Sequence, residues 1–173
     1  MKNKFTDLQH LLSTDCPDLA CLCETWLNSD VLNCSIVGDL PYTVYRSDRV
    51  NDSYGGVCII TCNKSVQAVQ LAITEQFINT EIVAIDILNV LNPIRCINVY
   101  RSPAHDTETH AVNEMKLLIK CLKQLCDINQ SIVITGDFNL PSIDWNELNL
   151  VANSDSCSVM FANFTVQYAF TQH

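Results

Sequence analysis

The spacing of apolar positions changes along the chain, and each change marks an element. Phe5, Leu8 and Leu12 recur at helical spacing and predict a short opening helix. Asp18 to Glu24 (D-L-A-C-L-C-E) then reads as a nearly all-apolar strand. Further strand-like runs follow over Tyr42 to Arg46, Gly56 to Cys62, Ser65 to Ala72, Thr80 to Leu88 and Ile94 to Tyr100, rich in Val and Ile and separated by Asn, Asp, Gly or Pro. A second helix is predicted from about Asp106 to Cys126, with Val112, Met115, Ile119, Leu122 and Cys126 as its apolar stripe and Lys116, Lys120 and Lys123 as a cationic one. Ser131 to Thr135 is another buried-type strand, and Cys157, Met160, Phe161, Phe164 and Tyr168 are spaced for a final amphipathic helix.

Several strands do not alternate. V-C-I-I, I-V-A-I-D-I and S-I-V-I-T are apolar on both faces and need a covering layer on each side. Two packed sheets with helices outside would supply it, as would one sheet between helices. Five consecutive strands joined by short loops favour antiparallel hairpins over a strictly alternating β-α-β chain. The residues alone therefore point to a mixed α/β sandwich.

Composition narrows the function. The 173 residues fit one domain, 48% are apolar and 17% charged, and no repeat or linker tract interrupts them, which excludes a disordered tail. With 10 Lys+Arg against 19 Asp+Glu the net charge is −9, so overall charge cannot hold a phosphate backbone. Any nucleic-acid contact has to be local, through a few cations or a bound metal. No apolar stretch follows Lys2 and Lys4, and runs such as Val57 to Ile60 and Ile132 to Ile134 are far too short to span a bilayer, so an intracellular chain with no membrane contact is expected. The 10 cysteines, with no Cys-x-x-Cys pair and most of them inside apolar segments, are then expected as reduced core thiols.

Two acids directly follow buried-type strands: Glu24 after L-A-C-L-C and Asp137 after S-I-V-I-T-G. A carboxylate at a strand end is fixed by the sheet yet reaches the rim, and two of them suit a hard cation such as Mg²⁺, which takes one or two from the protein. Asn139 adds a neutral donor and acceptor two residues on. Taken alone, each acid reads as structural, Gly-Asp-Phe-Asn as a turn and Glu24 as a surface charge; the residues that follow shift that balance. Tyr100 and Arg101 close another strand, and both can donate to phosphate oxygens. Arg46 and Arg49 precede the Tyr54-Gly55-Gly56 turn and make a local positive patch, or else simply pair with Asp48 and Asp52. None of His10, His105, His110 and His173 stands in a nucleophile–base arrangement, and a loop or cap role suits His105 best.

These residues carry a pattern. C-E-T-W-L (Cys23 to Leu27), Y-R-S-D-R with G-G-V (Tyr45 to Arg49, Gly55 to Val57), N-V-Y-R-S-P (Asn98 to Pro103) and I-T-G-D-F-N-L-P-S-I-D-W (Ile134 to Trp145) resemble, in order, the endonuclease domain of LINE-type non-LTR retrotransposons, within the endonuclease/exonuclease/phosphatase superfamily. The resemblance implies a four-layer α/β/β/α sandwich of two packed sheets with outer helices, over a single domain spanning residues 1–173. It implies Mg²⁺-dependent cleavage of a phosphodiester (Mn²⁺ as the substitute ion), with DNA as partner and the nucleus as a place of action. By position, Glu24 resembles the metal ligand, Asp137 the acid that orients or deprotonates water, Asn139 the carboxamide beside it and Tyr100 the phosphate-contacting tyrosine, with Arg101 in a variable place. Against the family the sandwich reads as incomplete. Its first strand with a site Asn is lacking, Asn3 not being in that place, and its terminal Ser-Asp-His lies beyond F-T-Q-H, so His173 is not the family histidine. Impaired or absent activity is the expectation. A non-catalytic retroelement remnant, or an inositol phosphatase or sphingomyelinase branch, are the alternatives.

Overall fold

The computed structural model describes residues 4–50, 54–103, 107–147 and 149–173. Lys2, Asn3, Asp52, His105 and Asp106, named above, lie outside the described residues. The chain divides into two compact units, one of Met1–Thr74, Thr80–Arg101 and Asn129–Asp137, the other of Glu75–Asn79, Ser102–Ile128 and Phe138–His173.

The first unit holds helices α1 (Phe5–Asp15) and α2 (Asn33–Val37) and strands β1 (Leu19–Cys23), β2 (Tyr42–Ser47), β3 (Val57–Cys62), β4 (Ala68–Gln70), β5 (Thr80–Ile87) and β6 (Ile94–Arg101). After helix α3 (Glu108–Cys126) of the other unit, β7 (Ser131–Asp137) completes it. One sheet runs β1-β3-β2, antiparallel throughout. The other runs β4-β5-β6-β7, antiparallel except for β6 and β7, which pair in parallel. The hairpin expectation holds for β2–β3, β4–β5 and β5–β6. The parallel pair is the one joined through a long crossover, as parallel strands require.

β3 shows why its run has no polar face. Val57 and Ile59 pack against Val83, Ile85, Cys96 and Tyr100 of the second sheet. Cys58, Ile60 and Cys62 point the other way, into a cluster with Leu12, Leu27, Ile36 and Val37 under α1 and α2. A strand covered on both sides can be apolar at every position, and each fully buried Val or Ile contributes roughly 1.5–3 kcal/mol. Asn98, fully buried between the sheets, ties them: its Nδ2 donates to the carbonyls of Leu22 (3.0 Å) and Cys58 (3.1 Å), and its Oδ1 accepts from Thr135 Oγ1 (3.1 Å). Ten free cysteines are present, and Cys21 and Cys96 bring their sulfurs within 3.8 Å across the inter-sheet layer.

Three expectations need correction. The I-V-I run of β7 is not covered on both faces, since Val133 is 46% exposed: β7 is the edge of its sheet, a place that a hydrophobic run does not reveal. The run from Ser65 to Ala72 shrinks to three residues because the Asn89 side chain bonds Gln67 N (2.8 Å) and Ser65 O (2.7 Å), holding the preceding segment as a turn. The buried stripe of α3 is Met115, Leu118, Cys121, Leu122, Leu125 and Cys126, with Val112 and Ile119 only half-buried.

In the second unit α3 is capped by Thr107, whose side chain accepts from His110 N (3.2 Å). Helix α4 (Ser156–Gln167) is capped by Asp155, accepting from Ser158 N at 2.9 Å and Ser158 Oγ at 2.6 Å. Between them a two-stranded ribbon, β8 (Ile143–Asp144) and β9 (Asn149–Leu150), accompanies an aromatic cluster of Phe138, Trp145, Phe161 and Phe164. No described helix is long and apolar enough to cross a membrane.

Candidate active site

The rim of the first unit gathers the ends of β1, β6 and β7. Glu24 follows β1 directly, is exposed, and has a φ of 52°; Trp26 has a φ of 54°. Left-handed backbone costs a residue with a Cβ roughly 1–2 kcal/mol. Two cross-loop bonds offset that cost: Thr25 N–H donates to Gly56 O (3.1 Å) and Trp26 N–H to Gly55 O (2.9 Å). The E-T-W segment is thus fastened to the G-G turn before β3.

Tyr100 lies one residue before the end of β6, with its phenol donating to Glu24 Oε1 at 2.8 Å. Register does the rest. Tyr100 is the cross-strand partner of Glu81 on β5 and of Asp137 on β7, so these side chains share one row and one face of the sheet. Burial, the bond to Glu24 and the negative charges of Glu24 and Asp137 push the phenol up to about 12, against a smaller lowering by Arg49. Both strand-end acids therefore act on one phenol, which stays protonated at neutral pH and serves as a hydrogen-bond donor.

That shift has a measurable consequence. The folded phenol titrates above its ordinary value of 10.0, so its contribution to stability is complete below that pH and is lost as pH rises toward about 12. Urea midpoints taken from about pH 9 to about pH 12 are expected to fall more steeply in the parent than in Tyr100→Phe. Tyr42, also raised by burial, keeps part of the fall in both. Parallel curves would show that Tyr100 titrates as it does in water.

The arginines are turned inward. Arg49 Nε bonds Glu81 Oε1 (2.5 Å) and its NH2 bonds Oε2 (3.1 Å), with side chains 7% and 5% exposed, and its guanidinium lies 5.6 Å from the Tyr100 ring centre. Glu81 Oε2 also accepts from Gly56 N at 2.9 Å. Arg46 donates to Asn28 O (3.1 Å) and pairs with Asp48 (3.3 Å), whose carboxyl is raised by burial with Arg46 opposing. Arg101 is 4% exposed. Asp137 is exposed; Asn139, half-buried with a φ of 49° that Asn tolerates well, belongs to the second unit.

The structure thus brings Glu24, Tyr100, Asp137 and Arg49 together within one unit. Among the described residues no group of three or more His, Cys, Asp or Glu side chains is placed to hold a metal ion. Sequence reasoning missed Glu81 and Asn98. The available signal was an acid early in T-E-I-V-A-I-D-I, a run that also carries Asp86, and a lone amide in I-R-C-I-N-V-Y-R, since polar groups inside buried strands need specific partners.

Residues 94–172 match the family described as endonuclease-reverse transcriptase. No curated protein sequence matches the chain. Among solved structures, the endonuclease domain of TRAS1, a telomere-specific non-LTR retrotransposon, is 15% identical with a TM-score of 0.67, over 97% of this chain and 67% of that one. The 3′-5′ exonuclease NExo from Neisseria meningitidis is 18% identical with a TM-score of 0.70, over 96% and 67%. The AP endonuclease from Archaeoglobus fulgidus is 15% identical with a TM-score of 0.63, over 96% and 66%. The chain thus spans about two thirds of the length of each. It has the fold of the endonuclease/exonuclease/phosphatase superfamily, and residues 94–172 carry the match to its endonuclease-reverse transcriptase family.

Proposed function

We propose that this chain carries a divalent-metal-dependent phosphodiester hydrolase site that acts on DNA, in the manner of a retrotransposon endonuclease. The observation that carries it is the bond from the Tyr100 phenol to Glu24, in the row that Tyr100 shares with Asp137. The TRAS1 neighbour is a retrotransposon endonuclease domain, and the Neisseria NExo is known bound to a product DNA hairpin.

The donor set fits the cation such chemistry uses. Glu24 and Asp137 offer exposed carboxylate oxygens, and Mg²⁺ is held by one or two carboxylates while keeping several waters. In this reading Glu24 would hold the metal ion, which would supply charge to offset the phosphate. Asp137 orients the attacking water and accepts its proton. With Glu24 engaged by a cation, the single O–H of Tyr100 would be free to turn from Glu24 to a phosphoryl oxygen, where a donor stabilises developing charge. Arg46 and Arg49, paired with Asp48 and Glu81, add little net positive potential.

Supercoiled plasmid incubated with Mg²⁺ or Mn²⁺ tests the reading. The parent is expected to nick, and Asp137→Ala to lower the rate at least about a hundredfold. A parent that nicks no DNA would overturn it, as would phosphate release from an inositol or sphingolipid substrate in its place.

A further inference from the structure

We propose that the exposed rings of Trp26 and Tyr54 form a stacking platform for an unpaired nucleobase of the DNA strand entering beside Glu24; this rests on the DNA reading above. Trp26 is 44% exposed and Tyr54 is 60% exposed, and their centroids lie 5.2 Å apart at an interplanar angle of 84°. Trp26 stands two residues from Glu24, in the left-handed backbone fastened to the G-G turn that Tyr54 precedes. A large indole gains from burial, and Trp145, half-buried, packs against Phe138 and Phe161. Trp26 is instead held outward by a conformation that Trp rarely adopts.

Charge decides what the platform meets. With a net charge of −9 and its site arginines turned inward onto Asn28, Asp48 and Glu81, the chain has little to offer a phosphate backbone. Every base has a π face, and an aromatic platform contributes about tenfold or more in affinity per base without regard to sequence. Stacking is also the contact that salt screens least.

Binding of the full chain to labelled single-stranded oligonucleotides, followed by anisotropy in chelator so that no cleavage intervenes, tests this. The parent is expected to bind a base-bearing strand about tenfold tighter than an abasic strand of equal length. Trp26→Ala and Tyr54→Ala are expected to abolish that preference, and Trp26→Phe to keep most of it. The slope of log K against log salt should be shallower than about −2, fewer than about three phosphates at −0.7 each. Equal binding of the two strands, an unchanged preference in both alanine variants, a steeper slope, or no binding would each overturn the platform. A chain that shows the preference but nicks no plasmid overturns the hydrolase reading alone, and a chain that nicks without the preference overturns the platform alone.

Discussion

Replacing Glu81 with Ala is expected to lower unfolding stability by about 3–5 kcal/mol, well beyond what an ordinary charge deletion costs. An ion pair in water contributes about 0–1 kcal/mol. The Glu81–Arg49 pair differs because both side chains are nearly sealed, at 5% and 7% exposure, and because the carboxylate is satisfied on both oxygens. Removing it takes the bidentate carboxylate from a buried guanidinium and the acceptor from the Gly56 N–H. The damage also spreads toward the site. Gly55 and Gly56 accept the backbone bonds that hold Thr25 and Trp26, so a loosened turn releases the segment that aims Glu24. Glu81→Gln keeps an acceptor for Gly56 and is expected to lose less. Urea unfolding with an unchanged slope measures the effect. A loss below about 1 kcal/mol for the alanine variant would mean that water already reaches the pair.

What could be seen in the chain and what could not follow from the range of the forces involved. Glu24, Tyr100 and Asp137 stand at the ends of runs whose apolar character marks them as strands, so their placement at strand ends follows from local pattern, while the row that Tyr100 shares with Asp137 follows from register. The strand positions of β1, β3, β5 and β6 were readable for the same reason. Strand order was not: nothing in S-I-V-I-T shows that β7 has a neighbour on one side only, and Val133 therefore looked more buried than it is. Helix α2, five residues ended by Gly38, is too short to display a period, and two-residue β8 and β9 are shorter still. Arg49 and Glu81 are separated by 32 positions, so their pairing is a property of the folded layers alone. Arg95 and Asp86 repeat the lesson across β5 and β6, with bonds of 2.7 and 2.8 Å between side chains that a linear reading would send to solvent.

Gly136→Ala is expected to cost about 3–5 kcal/mol and to displace Asp137 from its place beside Tyr100. Gly136 has a φ of 142°, outside the comfortable range of any residue with a Cβ. A Cβ there would collide with the carbonyl oxygen of Val99 and lie 2.8 and 2.9 Å from its C and N. Those are backbone atoms of β6, a strand paired on both sides, and they cannot swing aside as a side chain would. The parallel ladder must open at Val99–Gly136, one step from the Tyr100–Asp137 pair that aligns the site. A displacement of about 1 Å at a reacting group can lower a rate about a hundredfold, so nicking is expected to fall with the register even where the protein stays folded. Gly38→Ala separates collision from backbone strain. Gly38 also has a positive φ, 61°, but a Cβ there meets only the flexible Gln9 side chain at 3.4 Å. It is expected to cost about 1–3 kcal/mol through backbone strain alone, and nicking is expected to be unchanged. Equal losses from the two substitutions would show that β6 and β7 can part without effect, and the alignment of Asp137 with Tyr100 would then need another cause.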